Sequence, residues 1–347
     1  MKYRQINEGT IKDGDRILIM KPSSLGDIVH TVPVVQAIKR QFPRSRISWF
    51  VLREYLGLVD LLDDVDETIP FFRHGITASP VNYVKSQLET IRNLRKGSFD
   101  WVLDFQGLFR SALFGYLSGA RRKFGFSWKR EPNKFFYNFY VNVDRRKHAL
   151  ERNLGLAACL GIKVSEKDLV ARFKIKEIRG INLGKEGRVI ICPGGRWRSK
   201  RWPIENYASV AKYVVEKLKK KVVVVGSREE KGLGEFIAER VGKGVLDLTG
   251  RISLEELPSV LQGAEIVVTN DTGPMHLAAA MGKRILAFFG PTDPARTGPY
   301  GKNHVVLTSG VKCAPCFKKE CDKGTECLKT ITVERATFEV KELLGVN

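Results

Sequence analysis

Short apolar runs that alternate with amphipathic helical stretches, twice over, constrain this chain more than any other feature. In the first half, 16–20, 47–52 and 101–105 read as buried strands, and 27–42, 88–94 and 108–117 as helices. In the second, strands at 189–192, 222–225, 245–247, 264–268 and 285–289 alternate with helices at 204–218, 232–241, 254–262 and 275–281. A strand covered on both faces reads as a continuous apolar run, and an intervening helix makes its successor parallel. The expected class is therefore α/β: two Rossmann-like, doubly wound parallel-sheet domains facing each other across a cleft. The Gly- and charge-rich segment 172–188 is the natural linker. It sets an N-terminal domain at 1–175 and a C-terminal domain at 176–332, with 333–347 a helix able to cross back to the first. At 347 residues, each half can bury a full core.

Open sheets of this kind bind ligands beyond the carboxyl ends of their strands, so the polar residues after each apolar run are the candidates. Run 264–268 stops at Asn270-Asp271-Thr272-Gly273, and a helix starts at once, with His276 on its first turn. Helix N-terminal N–H groups and the positive dipole end favour phosphate there. The same residues would also serve as a plain helix cap with no ligand. A second polar turn at 290–293, again just past an apolar strand, favours a nucleotide. The loop after 189–192 is Pro-Gly-Gly195-Arg196-Trp-Arg-Ser-Lys200-Arg-Trp-Pro203. Its glycines let the backbone approach a phosphate, and Lys200 can meet a diphosphate as a point charge. A basic surface loop is the bland alternative. After the first strand comes Lys21-Pro22-Ser23-Ser24-Leu25-Gly26-Asp27, which matches neither phosphate-loop pattern, GxxxxGK[ST] or GxGxxG. Asp27 is either a first-turn dipole partner or a general base aimed at a hydroxyl.

Charge narrows the partners. Fifty-nine Lys and Arg against 38 Asp and Glu give +21, which speaks for polyanions. The excess is densest at 121–152, where ten basic residues meet three acidic ones among interleaved aromatics. A nucleic-acid-binding protein is a remote alternative, since no zinc-finger, KH or RRM signature accompanies the charge. No apolar run reaches the ~18 residues needed to span a bilayer, and 1–16 carries no signal-peptide pattern. A soluble intracellular chain is expected. Cys159 and Cys192 read as buried small hydrophobes. Cys313, Cys316, Cys321 and Cys327 are close enough in sequence for a metal site, free thiols or disulfides, and spacing does not choose among these.

Taken together, KPSSLGDIVHTVP, DFQGLFRSAL, SKRWPIENY, NDTGPMHLAAA and FGPTDP resemble the family 9 glycosyltransferases, the lipopolysaccharide heptosyltransferases, over nearly the whole chain. The likeness is greatest to the heptosyltransferase I branch, with heptosyltransferase II or another family member as the alternative. The resemblance implies a GT-B fold and an inverting transfer that needs neither metal nor cofactor. The implied donor is ADP-heptose and the implied acceptor is Kdo-lipid A, met by a cytoplasmic enzyme peripheral on the inner membrane. By that resemblance, Asp27 is the base and Lys200 steadies the departing diphosphate. The donor then lies against Gly195, Arg196, Glu230, Ile252, Asp271, Thr272, Gly273 and His276. The acceptor lies against Ser24, Gly26, Arg110, Arg121, Arg122, Lys129 and Arg130. Gly195 and Arg196 stand where the family has two phosphate-contacting threonines, which loosens the donor assignment.

Overall fold

Residues 10–72, 80–127, 132–178, 180–181, 183 and 187–346 are described by a computed structural model. The chain divides into two units, one ending at Lys174 and one beginning at Ile175. Each carries one six-stranded parallel sheet.

In the first unit the order along the chain is β1 (Arg16–Met20), α1 (Leu25–Val29), α2 (Val32–Gln41), β2 (Arg46–Leu52), α3 (Leu56–Val59), β3 (Glu67–Phe71), α4 (Pro80–Lys96), β4 (Trp101–Asp104), α5 (Phe109–Leu117), β5 (Arg122–Phe126), β6 (Phe139–Val141) and α6 (Ala149–Cys159). Across the sheet the strands run β3-β2-β1-β4-β5-β6. Leu18, Met20, Phe50, Val102 and Phe114 fill one side of it. The single helix expected over 27–42 is two, because Pro33 enters the first turn of α2 and restarts the helix after Thr31. Two strands, β5 and β6, lie inside the basic aromatic stretch, and Phe124 and Phe126 there are core residues.

The second unit runs β7 (Arg188–Cys192), α7 (Ile204–Glu216), β8 (Lys221–Val224), α8 (Lys231–Val241), β9 (Val245–Asp247), α9 (Leu257–Gln262), β10 (Ala264–Asn270), α10 (Gly273–Ala280), β11 (Arg284–Phe289), α11 (Pro294–Thr297), β12 (His304–Thr308), α12 (Glu326–Lys329) and α13 (Val333–Leu344). Its strands are ordered β12-β11-β10-β7-β8-β9. Counted from its own first strand, that is the same topology as the first unit. Both sheets therefore reverse winding direction between their first and fourth strands, where doubly wound sheets open a crevice. Ala336 and Val340 of α13 join the core around Trp202, Tyr207 and Phe288. The apolar face of that helix is thus covered within the second unit. Among the described residues no helix is long and apolar enough to cross a membrane.

Candidate active site

Each reversal point carries a cluster of polar side chains. In the first unit the β1 loop supplies Lys21 and Asp27, and the β4 loop supplies Asp104. Asp27 opens α1, where the N–H and hydroxyl of Ser24 donate to its Oδ2 at 3.1 and 2.9 Å. Its Oδ1 stands 3.6 Å from Lys21 Nζ, and the two side chains are 38% and 7% exposed. Burial pushes the Asp27 carboxyl up. The Lys21 ammonium, the two Ser24 donors and His30 outweigh it and hold the group well below the ordinary carboxylate range. Burial pulls the Lys21 ammonium down against the opposing pull of Asp27 and Asp104. Lys21 also donates to the carbonyl of Phe105 at 2.8 Å, tying the β1 loop to the β4 loop.

Asp104, wholly buried at the end of β4, accepts from the N–H groups of Gln106 and Gly107 at 2.8 and 2.9 Å. The Tyr137 hydroxyl donates to it at 2.7 Å. Burial raises its proton affinity despite these donors. It shapes the loop and holds the aromatic segment against the sheet.

Ser24, Gly26 and Arg110 share this carboxyl edge with Asp27; Arg110 is exposed, its guanidinium 5.9 Å from the Phe71 ring. Arg121 and Arg122 do not. Arg122 pairs in register with Trp101 at the start of β4, while Asp104, at the other end, pairs with Gly125. With strands rising ~3.3 Å per residue, the two arginines lie at the amino edge, roughly 10 Å or more from the Asp104 end. The Arg122 guanidinium stacks over Trp101 at 5.1 Å. Sequence proximity to the aromatic stretch placed them with Ser24 and Arg110; parallel strand direction separates them from the edge that carries Asp27. Lys129 and Arg130 lie outside the described residues. Arg53, which sequence reading missed, follows β2 at the carboxyl edge and is exposed, 5.8 Å over Phe72.

In the second unit the β7 and β10 loops interlock. Lys200 Nζ donates to Asp271 Oδ2 at 2.6 Å, with only 18% and 5% of the side chains exposed. His276 Nε2 lies 3.8 Å from the other Asp271 oxygen. The ammonium also sits 4.6 Å over the Trp197 ring, a contact that favours a partly desolvated cation. Thr272 caps α10 in extended geometry and pairs its hydroxyl with that of Thr269 at 3.2 Å. Asn270, fully buried, staples the loops: its amide donates to the Pro193 and Gly194 carbonyls at 2.9 Å each, and its oxygen accepts from Trp202 N–H at 3.0 Å. Trp202 is stacked on Phe288 at 4.0 Å, so the Lys200 loop is anchored in the core.

Glu230, beyond β8, accepts from Gly195 N–H and Ser227 N–H at 2.8 Å each. Its carboxylate lies so close to Gly194 that a Cβ there would approach it to 2.1 Å, which explains the glycine. Arg196 is exposed on the β7 loop, and Ile252 is half-buried just past the end of β9. Every donor-side candidate therefore lies at the carboxyl edge of the second sheet. Asp293 of the 290–293 turn caps α11 through Ala295 N–H at 2.9 Å. Cys192 is buried, and burial together with Glu230 pushes its thiol up to about 12. Cys313, Cys316, Cys321 and Cys327 line one cavity with Ser199 and Pro291. Among the described residues no three His, Cys, Asp or Glu side chains form a set that could hold a metal ion. The cysteine segment braces the site: Ser199 donates to the Lys318 carbonyl at 2.8 Å and Phe317 N–H to that of Pro291 at 2.7 Å.

A family model, glycosyltransferase family 9 (heptosyltransferase), matches residues 88–326. The lipopolysaccharide heptosyltransferase 1 of Pseudomonas aeruginosa is 30% identical over 88% of this chain and 87% of its own length. The lipopolysaccharide heptosyltransferase 2 of Escherichia coli is 25% identical over 95% of this chain and 98% of its own. Among solved structures, the E. coli heptosyltransferase WaaC with ADP-2-deoxy-2-fluoro heptose superposes with a TM-score of 0.76 at 26% identity, covering 94% of this chain and 99% of that one.

Proposed function

The chain belongs to glycosyltransferase family 9, the heptosyltransferases, and on that premise we propose that it moves L-glycero-D-manno-heptose from ADP-heptose onto the Kdo-lipid A inner core of lipopolysaccharide, as a type I enzyme. The observation that carries the reading is the matched placement of two chemistries at equivalent reversal points. An ionised carboxylate follows the first strand of one sheet, and a cation held by Asp271 follows the first strand of the other. In the transfer, the acceptor O–H gives its proton to Asp27 as its oxygen attacks the anomeric carbon. The bond from that carbon to the diphosphate breaks, and ADP leaves with the electron pair. Attack opposite the leaving group inverts the anomeric centre.

Lys200 carries the leaving-group role. An ammonium has three donors, and with one on Asp271 it keeps others for a diphosphate oxygen. Asp271, an anion, serves to aim Lys200 and to neutralise it at rest, and its second oxygen faces His276. The N–H groups opening α10 and the Thr272 hydroxyl complete a phosphate cradle. A positioned base contributes ~10²–10⁴-fold, and removing one preorganised charge donor costs ~10²–10³ in rate. With Lys200 and a helix terminus at the diphosphate, transfer is expected to persist in EDTA. The enzyme would work peripherally at the cytoplasmic face of the inner membrane, where such an acceptor is presented.

A type II acceptor is the second reading, supported by the likeness to a heptosyltransferase 2 over nearly the full length. The test is transfer from ADP-heptose to Kdo-lipid A in EDTA, for the intact protein and for Asp27→Ala. Robust transfer that falls at least about a hundredfold in the variant, with ADP binding retained, supports the assignment and the base. ADP-heptose binding without transfer to this acceptor would favour the type II reading; binding of neither would overturn both.

A further inference from the structure

The first unit exposes more large apolar surface than its core requires. On α4, Val81, Val84 and Leu88 are 73%, 54% and 52% exposed, and their spacing puts them on one helix face. Lys85, Arg92 and Arg95 share that face and are exposed as well. Helix α5 packs beside α4 and exposes Phe109 and Tyr116, while Phe135, in the 3₁₀ turn Pro132–Phe136, is 76% exposed. The Phe136 ring joins them, 5.4 Å from Phe109 and 5.7 Å from Tyr116.

The orientation of this surface is fixed by two bonds. Gln87 Nε2 donates to the Phe72 carbonyl just past β3, and Arg95 Nε to the Leu117 carbonyl at the end of α5. The helices therefore run side by side, with Val81, Val84 and Phe109 toward the carboxyl edge that holds Asp27 and with Arg92 and Arg95 toward the amino edge. Over α4, α5 and Pro132–Phe136 the basic residues are Lys85, Arg92, Arg95, Lys96, Arg110 and Lys134, and the one acidic residue is Glu89.

We propose that the face formed by Val81, Val84, Leu88, Phe109, Tyr116 and Phe135 docks on an anionic phospholipid bilayer, laying α4 in the headgroup plane. Exposed apolar side chains among cations, nearly without anions, match a surface that is apolar beneath and negative above. A protein partner of opposite charge would leave the apolar stripe to be covered separately; a bilayer satisfies both at once. Only the purpose of the docking rests on the reading of the site as a glycosyltransferase. A lipid-borne acceptor held at this face is presented to the edge that carries Asp27.

The experiment is flotation of the full chain with vesicles of phosphatidylcholine and phosphatidylglycerol, against vesicles of phosphatidylcholine alone. Wild type is expected to float with the anionic vesicles and to be released by high salt. Val81→Ser/Val84→Ser/Leu88→Ser should weaken that binding by at least about tenfold, as should Phe135→Ser more mildly. Melting temperature and transfer to a detergent-dispersed acceptor should be unchanged. Wild type that ignores anionic vesicles, or a triple variant that floats like wild type, would overturn the proposal. So would a triple variant whose only defect is loss of self-association, which would assign the face to a second copy. Vesicle binding that behaves as expected in a protein without transfer activity leaves this proposal standing and removes the functional one.

Discussion

Asp27 accepts twice from Ser24 and stands 3.6 Å from a buried ammonium, so its charge state is set by neighbours within one loop. Its folded proton affinity lies below the usual value near 3.8. The stability it contributes is therefore present above that value and lost only as pH falls through the lower folded one, leaving pH 5–8 untouched. The same shift keeps it ionised wherever the enzyme works. Removing the opposite charge should reverse this. Lys21→Met is expected to move the acid limb of kcat/KM upward by about one to three pH units, and Lys21→Arg should restore it. If Asp27→Asn abolishes transfer and Lys21→Met leaves the pH profile unmoved, Lys21 merely packs. Of this cluster, Asp27 was legible in sequence because it follows an apolar run and opens a helix. Lys21 begins the same motif, yet its partner Phe105 is 84 positions away, and no local pattern reports that.

At the scale of elements, the β7 and β10 loops function as one unit because Asn270 joins them. Asn270→Ala removes three hydrogen bonds in a buried place and should cost about 3 kcal/mol, since buried polar groups lose ~1–3 kcal/mol each when orphaned. ADP affinity should fall with it, because Lys200 loses its frame. Thr332→Ala makes the contrast. It removes the side-chain cap on α13, which accepts from Arg335 N–H at 3.3 Å, and should cost about 1 kcal/mol without altering ADP binding. Urea melts read alongside ADP titrations separate the two. If both variants bind ADP like wild type, the loops are not coupled through Asn270. Strands built around a clear apolar run, such as β7, β10 and β11, were readable as strands. Strands β5 and β6 were not: Arg122 and Lys123 open the first, and Tyr140 of the second is exposed, so neither shows a plain apolar run.

Over the whole molecule, a charge of +21 acts on any polyanion. Exposed cations are screened within ~8–10 Å at physiological salt, and a largely buried pair such as Lys200–Asp271 much less. Raising NaCl from about 50 to about 500 mM should raise the acceptor KM several-fold more than the ADP Kd. Equal responses would mean that the surface charge takes no part in acceptor binding. The sequence by itself determined the fold class, the family and the loops that carry the candidate site. Apolar periodicity and the residues just after each strand are local properties, and two Rossmann-like sheets follow from them. What only the tertiary structure decided is which side chains share an edge. Arg110 and Arg122 are only 12 positions apart, yet they lie at opposite ends of the sheet because one follows a strand and the other begins one. Strand direction and hydrogen-bond register are set by pairing between distant segments, and that information is not carried by neighbours in the chain.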